Sequence, residues 1–275
     1  MLSTGELKKQ AAKIRATCVQ MAFDARESHL SSALSCTDLL AVLYGGFLRG
    51  TAEKSNLGRD RFIMSKGHGC SALYAAMAAY DIISPSLLKE YSRTDGALPN
   101  HPCRHALKEL EISSGSLGHG LGIAAGMLYG MRLSGNTDSR AVVLMSDGEC
   151  NEGSVWEAAM FAAAQKFGNL LAVIDHNGSQ AVGTCSVIMG DTSLEEKFRS
   201  FGWHAVTIRG NDIAAVKTAF EQLPAGNNKP AAVIAKTIPG SGVSFMEKNI
   251  EWFYRSPSAE DLKNALAEIG AEPLG

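Results

Sequence analysis

The sequence predicts a doubly wound α/β domain, a mainly parallel sheet with helices on both faces. Two observations carry that expectation. The runs at 141–145 (Ala-Val-Val-Leu-Met) and 170–174 (Leu-Leu-Ala-Val-Ile) are short and wholly apolar, the pattern of strands buried on both sides of a parallel sheet. Between them, 154–166 is Ala-rich and free of Gly and Pro, the composition of a helix. A strand-helix-strand unit joins parallel neighbours and returns both strand ends to one edge of the sheet, where α/β proteins bind ligands.

The remaining elements follow the same alternation. Residues 7–18 intersperse charge with apolar residues at helical spacing, and 38–43 and 72–80 read as buried helical pieces. Residues 120–133 form a helix rich in small residues, able to approach the sheet or a neighbour closely. Downstream come a helix at 194–201, a strand at 204–208, a helix at 213–223 and a strand at 231–237. No fixed-period repeat, low-complexity tract or interdomain linker interrupts the chain, and 275 residues with 45% apolar content suffice for one large core. We therefore expect a single domain over residues 1–275.

The two strand ends carry the chemistry. Ser146-Asp147-Gly148-Glu149-Cys150-Asn151-Glu152-Gly153 follows the first, and Asp175-His176-Asn177-Gly178-Ser179-Gln180 ends the second. Asp147 offers a carboxylate, Asn177 a side-chain carbonyl and Ser179 a backbone oxygen. Mg²⁺ takes six oxygens at roughly 2.1 Å and usually keeps a water, so three protein oxygens, two diphosphate oxygens and a water would complete its shell. No Lys-Ser/Thr pair follows a Gly-rich loop, so a diphosphate would be held by the metal and backbone amides rather than by a P-loop. Asp-Gly and Asn-Gly are also common turn formers, but the intervening helix and the string Glu152-Gly153-x-x-Trp156-Glu157-Ala158 favour the metal site.

Four separated blocks, in order, resemble the transketolase family of thiamine-diphosphate enzymes. The interval from Asp147 to Asn177 is 30 residues, as in the family's Gly-Asp-Gly to Asp-x-Asn motif. Ser28-His29-Leu30-Ser31-Ser32-Ala33-Leu34-Ser35 resembles its early His loop, Asp60-Arg61-Phe62-Ile63-Met64-Ser65-Lys66-Gly67-His68-Gly69 its second, and Ser113-Ser114-Gly115-Ser116-Leu117-Gly118-His119-Gly120-Leu121 its third. The match is to the N-terminal, diphosphate-binding subunit of a split transketolase. Three positions depart from the pattern: Ser146 stands where the metal motif opens with Gly, His119 where Gln is usual, and Phe253 where a His commonly follows Trp252.

The resemblance implies roles. It assigns His68, Gly115, Leu117, Asp147, Gly148, Glu149 and Asn177 to thiamine diphosphate, with Mg²⁺ (or Ca²⁺ or Mn²⁺) on Asp147, Asn177 and Ser179. His29 and His101 would contact the substrate and move protons, an imidazole being suited to that work near pH 7. Phe253 would line the substrate pocket. His119 and Glu152 would meet a second chain, although Glu152 also suits a helix start. His105, His176 and His204 are expected to pack or face solvent. Activation of the cofactor in this family needs a Glu from a pyrimidine-binding domain, and the resemblance covers only the diphosphate-binding half. The expected partner is thus a C-terminal transketolase subunit, in an α2β2 enzyme that moves a two-carbon ketol unit between sugars or sugar phosphates. The alternatives are the α subunit of a thiamine-dependent 2-oxo acid dehydrogenase and a regulatory subunit whose catalysis has degenerated.

Composition excludes other classes. A formal charge of −2 and the lack of a basic cluster give no field for nucleic acid. No run of eighteen apolar residues and no signal-peptide core occurs. Six scattered cysteines without a Cys-x-x-Cys pair fit reduced thiols in a cytoplasm. Cys150, inside the motif, is expected to fill space.

Overall fold

The computed structural model describes residues 1–50, 58–190, 192–224 and 228–275. Helix α1 (Thr4–Ala25) starts at a Ser3/Glu6 capping box, which satisfies two otherwise orphaned backbone donors, and ends at Arg26 in the left-handed region. Helices α2 (Leu30–Ser35) and α3 (Thr37–Val42) follow, then strand β1 (Arg61–Met64), a tight turn over Gly67–Gly69, and α4 (Cys70–Ala79). Helix α5 (Gly120–Leu133) leads to β2 (Ala141–Ser146), α6 (Gly153–Ala164) and β3 (Leu170–His176). A small antiparallel pair, β4 (Ser179–Gln180) and β5 (Gly183–Thr184), precedes the short α7 (Cys185–Met189). The chain then runs through α8 (Leu194–Ser200), β6 (His204–Arg209), α9 (Ile213–Glu221), β7 (Ala231–Lys236) and α10 (Ala259–Ile269).

The main sheet is parallel throughout, in the order β1-β2-β3-β7-β6. Period-two alternation along buried strands supplies two cores. Val142, Leu144, Leu171, Val173, Val233 and Ala235 face a layer built from α1, α3, α4, α9 and α10. Val143, Met145, Ala172, Ile174, Ala232 and Ile234 face α5, α6, α8 and Trp203. This is the doubly wound arrangement expected from the two apolar runs, and the parallel register places the ends of β1, β2, β3 and β7 on one edge.

The elements α2, β1, β4, β5, α7 and α10 were not foreseen. β1 lies inside the second His-containing block, where four strand residues between charged and polar neighbours give little signal. α10 begins with a Ser258/Asp261 capping box that the sequence displays but that stands alone near the C-terminus. No helix among the described residues is long and apolar enough to cross a membrane.

Candidate active site

The sheet edge gathers the loops singled out in the sequence. Asp147 follows β2 directly and is 5% exposed. Its Oδ1 accepts from the Gly148 amide at 3.0 Å, and its Oδ2 accepts from the Gly178 amide at 2.8 Å and from the Cys185 thiol at 3.3 Å. Gly178 makes this turn at φ +73°, a conformation open to glycine. Across the turn, the Asn177 side-chain oxygen accepts from the Ser179 amide at 2.9 Å, so the carboxylate, the amide oxygen and residue 179 sit on adjoining strand ends.

The donor set fits a hard cation. Burial pushes the Asp147 carboxyl above its ordinary range, with the Cys185 contact and His176 acting against it. Its nearest basic group is the imidazole of His176, with Nε2 3.8 Å from Oδ2, and the Nδ1 of that ring is buried without a hydrogen-bond partner among the described residues. A buried carboxylate supplied mainly with neutral donors is electrostatically incomplete, and a divalent ion would complete it. His176, expected to pack or face solvent, is half-buried as the last residue of β3, beside the Asp147 carboxylate. The described residues hold no cluster of three His, Cys, Asp or Glu side chains suited to a metal; an oxygen set of one carboxylate, one amide and one backbone carbonyl is a different kind of site.

Glu149 is fully buried beneath the loops. Its carboxylate accepts from the Ser65 hydroxyl, the Gly118 amide (2.9 Å) and the Ser146 amide (3.3 Å). Ser65 accepts in turn from the Gly120 amide at 3.1 Å. One side chain thereby ties the loops after β1 and before α5 to the loop after β2. Ser146, at the position of an expected Gly, points its hydroxyl back to the Glu149 amide at 3.1 Å rather than outward.

The three loop histidines converge. The ring centroids of His29 and His68 are 6.1 Å apart, and those of His29 and His101 are 6.4 Å apart. His29 adopts φ +63° at the start of α2, a strained state for a residue with a Cβ. It is held there by a hydrogen bond from its amide to the Phe253 carbonyl at 3.1 Å. All three imidazoles are pushed below their ordinary pKa by burial, His68 to about 3 with Lys66 adding to the effect. Burial thus favours the neutral form of each imidazole. Gly115, at φ +146°, brings its backbone against His101: an added Cβ would lie 3.1 Å from the ring, and one added at Gly67 would lie 2.9 Å from the Gly115 backbone.

Phe253 is 6% exposed and belongs to neither core cluster, whereas its neighbour Trp252 belongs to the first. Leu117 is half-buried at the loop before α5, and Gly148 lies next to Asp147. His119 and Glu152 are both exposed, and Glu152 leans across Gly118, where an added Cβ would meet its side chain at 2.7 Å. Sequence reasoning missed Lys66, Asp175, Ser35 and Thr237. The Asp175 carboxylate, buried at the end of β3, accepts from Lys66, from Ser35 at 2.6 Å and from Thr237. An ionisable residue ending an apolar strand was the available signal.

Residues 7–274 match the family described as transketolase, thiamine diphosphate binding domain. The chain belongs to the transketolase family. It is 34% identical over 96% of its length to one subunit of the apulose-4-phosphate transketolase of Phocaeicola vulgatus, covering 93% of that protein. It is 36% identical over 98% of its length to the protein of the same name from Actinobacillus succinogenes and covers 98% of it. Among solved structures, the transketolase of Campylobacter jejuni superimposes with a TM-score of 0.90 at 26% identity; it is matched by 98% of this chain but only 44% of it is covered. The chain thus spans under half the length of the Campylobacter transketolase chain and nearly the whole of the two apulose-4-phosphate transketolase subunits.

Proposed function

We propose that this transketolase-family chain is the diphosphate-binding subunit of a two-chain enzyme that moves a two-carbon ketol unit between sugars or sugar phosphates. The observation that carries the reading is the convergence of His29, His68 and His101 on the sheet edge that also bears Asp147 and Asn177. Asp147, Asn177 and the Ser179 carbonyl would hold Mg²⁺, with Ca²⁺ or Mn²⁺ as substitutes. His68 and the backbone at Gly115, Leu117 and Gly148 would hold the diphosphate, with Glu149 fixing those loops from beneath. When bound, thiamine diphosphate supplies the nucleophilic carbon that carries the transferred unit.

The chain's own residues handle protons and shape. His29 and His101, close together, accept and return protons at substrate hydroxyl and carbonyl oxygens. The Phe253 ring narrows the pocket with an apolar wall. The exposed His119 and Glu152, beside the apolar surface of Ile123, Tyr129, Met160 and Phe161 on α5 and α6, suit contact with a partner chain carrying the pyrimidine-binding domain, in an α2β2 assembly in the cytoplasm. Full-length similarity to proteins named as transketolase subunits supports the two-chain reading. Ketol transfer is expected from the reconstituted pair and not from the purified chain alone. Steady turnover by the isolated chain, unaffected by added partner, would overturn the proposal.

A further inference from the structure

Glu27 and Asn100 belong to none of the recognised motifs, yet the fold places them in line with His101. The Asn100 Oδ1 lies 3.2 Å from His101 Nδ1, and the Asn100 Nδ2 donates across 3.5 Å to Glu27 Oε1. The same Glu27 oxygen also accepts from the Ser92 hydroxyl. We propose that Glu27 and Asn100 form a relay that fixes His101 as its Nδ1–H tautomer, leaving Nε2 as the proton acceptor of the substrate site. The proposal rests on the reading of His101 as a proton carrier, and it makes Glu27 and Asn100 positioning residues.

The tautomer follows from donor and acceptor counting. An ionised carboxylate only accepts, so the Asn100 amide must turn its NH₂ toward Glu27; the opposite orientation would set two oxygens against each other. With the amide so turned, its oxygen faces the ring and accepts only. His101 Nδ1 must therefore carry the hydrogen, and in the neutral ring Nε2 then carries the lone pair. When Nε2 takes a proton from a substrate hydroxyl, the O–H bond breaks and an N–H bond forms while the Nδ1–H bond stays on Asn100. The positive charge that develops is balanced through the amide by Glu27, and the proton leaves from Nε2 when it is returned.

The backbone around the relay is held firmly. The Cys70 thiol donates to the Asn100 carbonyl at 2.7 Å, and the Tyr74 hydroxyl donates to the carbonyls of Pro99 at 3.1 Å and His101 at 3.4 Å. The Ser92 amide closes its turn on the Leu98 carbonyl at 2.7 Å, with Ser92 itself at φ +52°. Glu27 follows the left-handed cap of α1, its amide bonded to the Ala22 carbonyl at 2.9 Å. On its other side the ring rests against Gly115. The ionisable groups facing His101 are Glu27, His29 and His68. Burial lowers both His29 and His101, and Glu27 opposes the shift at each.

Nitrogen-15 NMR of the histidine-labelled chain tests the relay without any substrate, with the His101 signals assigned by their loss in His101→Gln. Above its titration, His101 is expected as the Nδ1–H tautomer, the minor form of free histidine. Asn100→Ala should convert it toward Nε2–H. Glu27→Gln, whose amide oxygen can still accept from Asn100, should keep the tautomer while moving the titration midpoint to lower pH. An Nε2–H ring in the unaltered chain, or a tautomer indifferent to Asn100→Ala, would overturn the relay. In the assembled two-chain enzyme with a ketose donor, Asn100→Ala should lower kcat about tenfold with little change in KM, and cost nothing further once His101 is Ala. If His101→Ala itself leaves turnover intact while the NMR pattern holds, the functional reading of His101 fails and the relay stands.

Discussion

The Lys66 ammonium and the Asp175 carboxylate are both sealed from solvent and paired with each other. Burial alone would lower the Lys66 pKa, but the charge and hydrogen bond of Asp175, with smaller contributions from Cys36 and Asp147, outweigh it and leave the group raised. Lys66 also donates to the Ser32 carbonyl at 3.0 Å in α2, while Asp175 holds Ser35 at the end of the same helix. The pair therefore ties the His29 loop, the His68 loop and the end of β3 that leads into Asn177 into one unit.

Breaking that pair from one side leaves a buried charge uncompensated. Lys66→Met or Asp175→Asn alone should cost about 3–5 kcal/mol of folding stability, read from urea unfolding. The double variant should lose clearly less than the sum of the two, because the amide introduced at position 175 can still accept from Ser35 and Thr237 and no unpaired ammonium remains. Additive losses would show that the two groups act independently.

The proposed metal set predicts separable effects on folding and cofactor binding. Asp147→Asn keeps an acceptor for the Gly178 amide but removes the charge, and Asn177→Ala removes a neutral oxygen. Both variants should fold with unfolding midpoints near that of the parent, yet bind thiamine diphosphate in the assembled complex at least about tenfold more weakly when titrated with Mg²⁺. Unchanged titrations for both would place the metal elsewhere.

His68 predicts an acid-side loss of stability in the cofactor-free chain. Its folded pKa is pushed down to about 3, below the ordinary value of 6.5, so between those values the unfolded chain binds the extra proton. The sign follows: this contribution is fully present above pH 6.5 and is lost as the pH falls, by about 2 kcal/mol at pH 5. His68→Gln should flatten the fall in stability between about pH 6.5 and 5. An unaltered slope would show that other groups carry it.

How much of this was legible in the chain depends on distance along it. The runs at 141–145 and 170–174 announced their strands because burial on both faces demands unbroken apolar sequence. The turns bearing Asp147 and Asn177 were legible as candidates because those residues directly follow the two apolar strands. Glu149 was assigned a cofactor contact, but nothing local revealed that its carboxylate bonds Ser65, 84 residues away. The Glu27–Asn100 contact spans 73 residues and exists only once α1 and the turn before His101 pack together. Contacts of that kind leave no periodicity to read.

At Phe253, backbone and side chain have separable tasks. The carbonyl holds the His29 amide at 3.1 Å and does so whatever side chain stands at 253. The ring lies outside both core clusters, and the proposed role for it is to select which sugar fits. Phe253→His should therefore leave His29 in place and cofactor binding within about twofold, while altering the relative kcat/KM among ketose donors, because an imidazole adds a hydrogen-bonding group to an apolar wall. A panel of matched donors that differ in chain length and in hydroxyl configuration, assayed with the reconstituted pair, makes the comparison. A change in relative efficiency of up to about tenfold between at least two donors is expected, that being the net worth of about one hydrogen bond. If all donors keep their order and spacing, the ring does not reach the substrate, and the role of residue 253 reduces to the carbonyl that fixes His29.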